Sequence, residues 1–346
     1  MCRKNAEGAV MDTRTFFILS DNPVTIERLH LCSWDFGDGE ALSELGLEFI
    51  PDENDGEIIF KISFPFDVEG RQVTCLMDSL VRNDDNCKFI FNDKIVANKP
   101  INADKRNGSI VEFSVRNTLA ILPISDISAM GEIVSFRVKP VSGQVPNYIR
   151  FCLKTKIRDL AVVKSGIAKC TYIYDVKINE QRNMSDCVNK LINRGFAICT
   201  SVKSCFCFHV VPSKYNISYL NSSRLKNIRV LESEAFSKYL PLNRSLPVND
   251  YMIVFNKDSK SESDGYAFFS EFDEERIGVK QLIVAVVLNI LCNLLFAFSS
   301  ITITSDKKWY LQLPIGYWVA IGLLVVFSGF IFWPATKLSL RKDKKQ

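Results

Sequence analysis

The chain has 346 residues, of which 47% are hydrophobic and 24% are charged. This composition is typical of a folded protein and excludes an intrinsically disordered chain. The net charge of +4 is unevenly placed, because residues 1–278 contain 35 Lys and Arg against 37 Asp and Glu. The positive excess therefore belongs to the residues after 278, which excludes a nucleic-acid-binding surface along the whole chain.

After a flexible tail at residues 1–13, the chain is a succession of short strand patterns. The stretch "EIIFKISFPF" places Ile58, Phe60 and Ile62 on one face and polar residues on the other. This alternation is typical of a strand with one buried face. Similar stretches follow one another, separated by Gly, Asn, Asp and Pro. They predict a β-rich domain at residues 14–180, built as an antiparallel sandwich or an open barrel.

Two of these predicted strands carry basic side chains on their polar faces. In "EIVSFRVKP" and "IRFCLKTKIR" the basic residues alternate with apolar ones. We expect the two consecutive strands to pair and to form one patch of Arg137, Lys139, Arg150, Lys154, Lys156 and Arg158. Such a patch predicts a binding site for an anionic ligand, such as a nucleotide or short oligonucleotide. The alternative is a solvated sheet face, where basic clusters are common.

Residues 181–278 mix helical and strand patterns, which predicts a smaller α+β part that leads to the membrane segments. The stretches "HLC" and "CFCFH" supply five conceivable metal ligands, namely His30, Cys32, Cys205, Cys207 and His209. Zinc sites favour a CxxC spacing, which is absent here. We therefore interpret the cysteines as buried apolar residues and expect no metal site.

Two uncharged apolar segments, at residues 282–303 and 313–333, are each long enough to cross a bilayer. The connection of nine residues between them makes the two helices antiparallel neighbours. We therefore expect residues 279–335 to form a two-helix transmembrane hairpin. The basic tail at residues 336–346 predicts a cytoplasmic C-terminus by the positive-inside rule, which places the N-terminal domain in the cytoplasm as well.

The first apolar segment carries polar residues on one face. At 100° per residue they fall within about 60° of one another. They are Asn289, Asn293, Ser300 and Thr304. Amides exposed to lipid are costly unless they have partners, so this stripe must meet another helix or water. Two interpretations stay open: polar contacts between packed helices, or the lining of a water-filled pore in a homo-oligomer.

Sequence motifs of enzymes are absent. The chain contains no GxxxxGK[ST], GxGxxG, GxSxG or HExxH motif, and it has only two histidines. General acid–base catalysis relies most often on histidine. We therefore expect a protein that is not an enzyme, with no catalytic residues and no cofactor.

The layout of a β-rich α+β cytosolic region followed by a transmembrane hairpin resembles bacterial antiphage membrane effectors, which include CBASS-like and related nucleotide-controlled systems. The resemblance is one of domain layout, with no residue-level correspondence, and in the two-span β-barrel effectors the membrane helices come first. It implies a ligand-controlled ion channel or pore in the bacterial inner membrane. Its partners would be membrane lipid, further copies of the chain, and a nucleotide or oligonucleotide made by a partner enzyme. The alternative is a non-conducting, membrane-anchored binding or scaffold protein.

Overall fold

The computed structural model describes residues 15–51, 56–68, 73–141, 145–166, 169–241, 246–259, 265–276, 279–298 and 315–332. For residues 279–281, 295, 297–298 and 327–332 only the backbone is described. The predicted N-terminal tail 1–13, the connection between the two apolar segments, and the basic tail 336–346 lie outside the described residues.

Strands dominate the described part of the chain. In chain order they are β1 (Thr15–Ser20), β2 (Thr25–Asp35), β3 (Glu40–Ile50), β4 (Ile58–Ser63), β5 (Val73–Cys75), β6 (Ile95–Pro100), β7 (Ser109–Phe113), β8 (Leu119–Ile121), β9 (Ser125–Met130), β10 (Ile133–Val138), β11 (Asn147–Lys156), β12 (Val162–Ser165), β13 (Lys169–Ile178), β14 (Ala197–Ile198), β15 (Ser204–Pro212), β16 (Asn216–Leu220), β17 (Leu225–Val230), β18 (Tyr251–Ser259) and β19 (Tyr266–Glu275). The α-helices are α1 (Met77–Val81), α2 (Asp84–Phe91), α3 (Ile157–Leu160), α4 (Asp186–Ile192), α5 (Ser233–Tyr239), α6 (Val279–Phe298) and α7 (Ile315–Phe332). Short 3₁₀ turns occur at Ile101–Ala103, Lys105–Asn107 and Gln181–Asn183.

The strands form two mixed sheets. The first has the order β16-β19-β13-β1-β4-β10-β9, with β12 and β14 added at its side. The second has the order β17-β18-β15-β2-β3-β11-β8-β7-β6, with β5 paired to β11. The predicted β-rich character is confirmed. The predicted antiparallel arrangement holds for most strand pairs but not for all, because β1 pairs with β13, β2 with β15 and β8 with β11 in parallel. Long connections bring these strands together, as parallel pairing requires.

Aromatic side chains fill the core between the two sheets. Phe49 of the second sheet meets Phe60 of the first with ring centroids 5.3 Å apart. Phe151 and Phe136 make an equivalent contact at 5.2 Å. All four rings are fully buried. Burial of each such side chain contributes about 1.5–3 kcal/mol, so this aromatic layer is a major source of stability.

Helices α1, α2 and α5 cover part of the outer face of the second sheet. Leu80, Phe91 and Phe236, one from each helix, lie in the same buried cluster as Trp34 and Tyr148 of the sheet. The central strands of this sheet therefore have both faces covered, and the burial pattern of β11 is nearly continuous. This cover explains why Arg150 and Cys152 on the polar face of β11 are buried, whereas Lys154 and Lys156 further along the same strand are exposed.

The chain divides into two compact units, Met1–Lys164 with Thr171–Glu274 and Ser165–Cys170 with Glu275–Gln346. In the second unit α6 and α7 contact each other, and the Tyr317 hydroxyl donates a hydrogen bond to the Leu294 carbonyl. Across the described residues, none of the helices has both the length and the hydropathy needed to cross a membrane. The transmembrane character of residues 282–303 and 313–333 stays a prediction.

Candidate functional site

The six cations predicted to share a patch do not lie on one sheet: Lys139 follows β10, Arg158 is on helix α3, and the other four belong to two different sheets. Arg137 is on β10, which pairs with β4 and β9 in the first sheet, whereas Arg150 is on β11, which pairs with β3, β5 and β8 in the second. The prediction that these two strands pair is wrong, because each has other neighbours at both edges. Arg137 lies 3.3 Å from both Glu57 and Asp126. The remaining four are exposed: Lys139, Lys154, Lys156 and Arg158.

Arg150 is the exception, since only 5% of it is exposed. It lies opposite Gly46 of β3, which lies opposite His30 of β2. His30 in turn lies opposite Phe206 of β15. Side chains in register point to the same face of a sheet, so these positions form one row across four strands, on the face that carries the helices.

Gly46 leaves space in this row for its neighbours. A Cβ at Gly46 would overlap the Tyr148 hydroxyl and lie 3.3 Å from the Cβ of His30. A glycine inside a strand often marks such a close approach. Its missing side chain allows Tyr148 to reach His30 across β3.

A cavity of about 320 Å³ lies between this row and helices α2 and α5. Its basic lining residues are Arg28, Arg116, Arg150 and Arg229, together with His30. Its aromatic lining residues are Phe89, Phe91, Phe206, Phe208, Phe236 and Phe255. Among the described residues that line it there is no Asp or Glu. The cavity thus combines a positive lining with a large aromatic surface, which suits an anion that carries a ring.

A buried carboxylate holds Arg150 in place. Nε and Nη2 of Arg150 donate hydrogen bonds to Oε2 of Glu44 at 2.9 and 2.6 Å. Glu44 also accepts hydrogen bonds from Trp34 Nε1 at 2.6 Å and from the Tyr239 hydroxyl at 3.0 Å. The Glu44 side chain is 0% exposed. These donors compensate the desolvation of the carboxylate, and Tyr239 connects helix α5 to the sheet beside the cavity.

Arg28 and Arg116 share a second carboxylate, that of Glu48. Nη2 of Arg116 donates to Oε2 of Glu48 at 2.8 Å, while Nε of Arg28 lies 3.8 Å from the same oxygen. The Arg116 guanidinium also lies over the ring of Phe91, 4.6 Å from its centroid, a favourable cation–π geometry. Two guanidinium groups against one carboxylate leave a positive charge uncompensated. Within the described residues Arg28 donates no hydrogen bond, so its donors are available to a ligand.

His30 is a neutral hydrogen-bond donor in the wall of the cavity. Its Nδ1 lies 3.0 Å from the Tyr148 hydroxyl, which accepts a hydrogen bond from Arg150 Nη1 at 3.0 Å. Because Arg150 already donates to this oxygen, we assign the hydroxyl proton to the bond with Nδ1 and the imidazole proton to Nε2. Burial, followed by the charges of Arg150, Arg116 and Arg28, holds the pKa of His30 well below its usual value.

Three phenylalanines form a stack of nearly parallel rings beside the basic residues. Phe208 and Phe255 stack with centroids 4.6 Å apart and an interplanar angle of 14°. Phe206 stacks on Phe255 at 5.8 Å and 13°, and the edge of His30 meets Phe206 at 5.0 Å. A ring face that is exposed at the end of such a stack can in turn stack with a nucleobase.

The predicted burial of Cys205 and Cys207 is confirmed. Both side chains point into the core between the sheets, on the opposite face of β15 from Phe206. Burial raises the pKa of both thiols, and it lowers the pKa of His209 to about 3. His30 lies on the other face of the sheet, so the five conceivable metal ligands do not come together.

The structure describes two of the four residues of the predicted polar stripe. Asn289 and Asn293 are exposed, and Nδ2 of Asn293 donates to Oδ1 of Asn289 at 2.8 Å. Ser300 and Thr304 lie outside the described residues. The bond between the two amides satisfies one donor and one acceptor, and leaves further amide groups for a neighbouring helix or water.

No protein-family model and no curated protein matches the chain. Among solved structures, a similar chain is "Capitella teleta AChBP in complex with lobeline". The match has 8% sequence identity and covers 75% of this chain and 84% of that chain, with a TM-score of 0.11. A TM-score this low carries no argument about fold or ligand.

Proposed function

We propose that the chain binds a small nucleotide-type anion in the cavity and acts as the sensor of an oligomeric membrane effector. The observation that supports this ligand is the lining of the cavity, with four arginines, no described acidic residue and a surface of stacked phenylalanines. Guanidinium groups pair with phosphate oxygens in a planar, two-point geometry. Aromatic side chains stack on the base. The exposed cations of β10 and β11 lack such a surface.

The effector part of the proposal rests on the apolar segments 282–303 and 313–333. Copies of the chain would bring their first segments around a common axis in the bacterial inner membrane, with Asn289, Asn293, Ser300 and Thr304 facing a water path. Ligand binding would change the conductance of this assembly, which requires different affinities for its open and closed states. An antiviral role would follow from loss of the membrane potential.

The second candidate function is a non-conducting membrane anchor. The observation that favours it is the hydrogen bond between Asn293 and Asn289, because it satisfies part of each amide without a water path. In this case the remaining amide groups bond to a neighbouring helix, and the ligand-bound domain recruits another protein.

Replacement of both asparagines with leucine separates the two functions. We expect Asn289→Leu with Asn293→Leu to abolish ion flux through liposomes that contain the full chain, because an apolar stripe no longer supports a column of water. The measurement is dye-reported ion flux, with the oligomeric state checked in detergent. The matched control is Val287→Leu with Leu291→Met, which changes the opposite face of the helix and is expected to preserve flux. Undiminished flux in the asparagine variant contradicts the pore, and a wild-type chain that passes no ions with any nucleotide supports the anchor.

A further inference from the structure

The dimensions of the cavity suit a ligand with one base and one anionic group. Its volume of about 320 Å³ lies at the lower end of the range of roughly 300–1,000 Å³ for small-molecule sites. Across the sheet, Arg28 and His30 lie on β2 and Phe255 lies on β18, two strands away. Two strand spacings amount to about 9–10 Å. A single nucleotide, with one base and one phosphate, matches this spacing, whereas a cyclic dinucleotide carries two bases and two phosphates.

The basic side chains on one side of the cavity have hydrogen-bond donors that are available to one phosphate. Arg28 donates no hydrogen bond within the described residues, and Arg116 uses only Nη2, on Glu48. Nε2–H of His30 has no acceptor among the described residues, while Nδ1 is occupied by Tyr148. Three donor groups of this kind match the oxygens of a terminal phosphate. Arg150 donates to Glu44 through Nε and Nη2 and to the Tyr148 hydroxyl through Nη1, so it supplies positive charge rather than a contact.

The aromatic end has a polar group placed to contact a base. Asn227 lies on β17, opposite Phe255. Its side chain makes no hydrogen bond with the described residues and lines the cavity. An amide offers both a donor and an acceptor to the edge of a base that is stacked on the phenylalanines.

We propose that the cavity takes one nucleoside monophosphate and excludes cyclic oligonucleotides. The phosphate is bound by Arg28, Arg116 and Nε2–H of His30. The base stacks on the surface around Phe255 and is contacted at its edge by Asn227. This inference rests on the proposed function and narrows its ligand from nucleotides in general to a mononucleotide with a terminal phosphate.

Calorimetric titration of the full chain in detergent tests the inference. The probes are inorganic phosphate, the four nucleosides, the four nucleoside 5′-monophosphates and a cyclic dinucleotide. We expect at least one monophosphate to bind at least about tenfold more tightly than phosphate or its own nucleoside, because both ends of the cavity are then occupied. We expect no heat from the cyclic dinucleotide. Tight binding of the cyclic dinucleotide overturns the inference and leaves the proposed function intact, whereas no binding of any nucleotide overturns both.

Two variants test which residues of the cavity contact the phosphate and which contact the base. His30→Phe keeps a ring against Phe206 and removes both the Nε2–H donor and the acceptor of the buried Tyr148 hydroxyl, so a thermal unfolding curve first checks its fold. Its affinity for the monophosphate is expected to fall by about tenfold while nucleoside binding is unchanged. Asn227→Leu changes an exposed position and is not expected to disturb folding. It is expected to lower the affinity for the monophosphate by about tenfold and to leave the affinity for inorganic phosphate unchanged. The assignment of phosphate and base contacts is overturned if Asn227→Leu loses equal affinity for phosphate and for the monophosphate. It is also overturned if neither variant loses affinity for the monophosphate.

Discussion

Glu44→Ala is expected to lower the free energy of unfolding by about 3–5 kcal/mol, the cost of breaking a buried ion pair. The substitution leaves the buried guanidinium of Arg150 without its carboxylate, and it removes the acceptor of Trp34 and Tyr239. Urea denaturation of the full chain in detergent, followed by tryptophan fluorescence, measures the loss. Helix α5 should also lose the hydrogen bond that its Tyr239 hydroxyl donates to Glu44 in the sheet.

The matched control is Glu112→Ala in the same sheet. Glu112 forms an ion pair with Lys99 at 2.9 Å, and both side chains are substantially exposed. Exposed ion pairs contribute at most about 1 kcal/mol, because water solvates both charges when the pair is broken. A loss in Glu44→Ala no larger than the loss in Glu112→Ala contradicts the role of Glu44 as the buried partner of Arg150.

Arg116→Met is expected to weaken binding of a nucleoside monophosphate by about 10–150-fold. Hydrogen bonds to charged groups contribute about 1.5–3 kcal/mol each, which corresponds to this range. Methionine retains an apolar stem over Phe91, so the packing of the cavity is largely preserved. Calorimetric titration of variant and wild-type protein measures the change, and a thermal unfolding curve without ligand checks that the fold is intact.

Arg137→Met is the matched control for this titration. Arg137 is the same residue type, half-exposed, and lies in the first sheet beside Glu57 and Asp126. It belongs to the patch predicted from the sequence and does not line the cavity. We expect its affinity for the monophosphate to equal that of the wild type. Loss of affinity in Arg137→Met with none in Arg116→Met would place the ligand on the exposed basic face instead.

The alternation of apolar and polar residues along the chain predicts the strands and their buried faces well. Ile58, Phe60 and Ile62 of β4 are all fully buried, as their spacing in "EIIFKISFPF" indicates. Alternation carries no information about which strands pair, however. Arg137 and Arg150 lie on consecutive strands of the sequence, yet these strands join different sheets. Parallel pairing between distant strands depends on the tertiary fold, and neither strand pattern contains a signal for it.

The sequence pattern indicates only some of the residues that line the cavity. Arg28 and His30 alternate with the buried Leu29 and Leu31, so the pattern "ERLHLC" does mark a second, polar face of β2. The alternation in "IRFCLKTKIR" places Arg150 on the polar face of its strand. The helices that cover Arg150 come from other parts of the chain, so the local pattern does not indicate its burial. Arg116 follows strand β7 in a turn, and no local pattern distinguishes it from any exposed arginine.

The most direct test of the ligand site is a structure of the full chain with a brominated analogue of the tightest-binding nucleoside monophosphate. The anomalous signal locates the bromine without reference to any assumed pose. The account predicts one bromine site beside Phe208 and Phe255, with phosphate density between Arg28 and Arg116. A cavity without bromine at saturating nucleotide, or a bromine site on the exposed face beside Lys154, would contradict it.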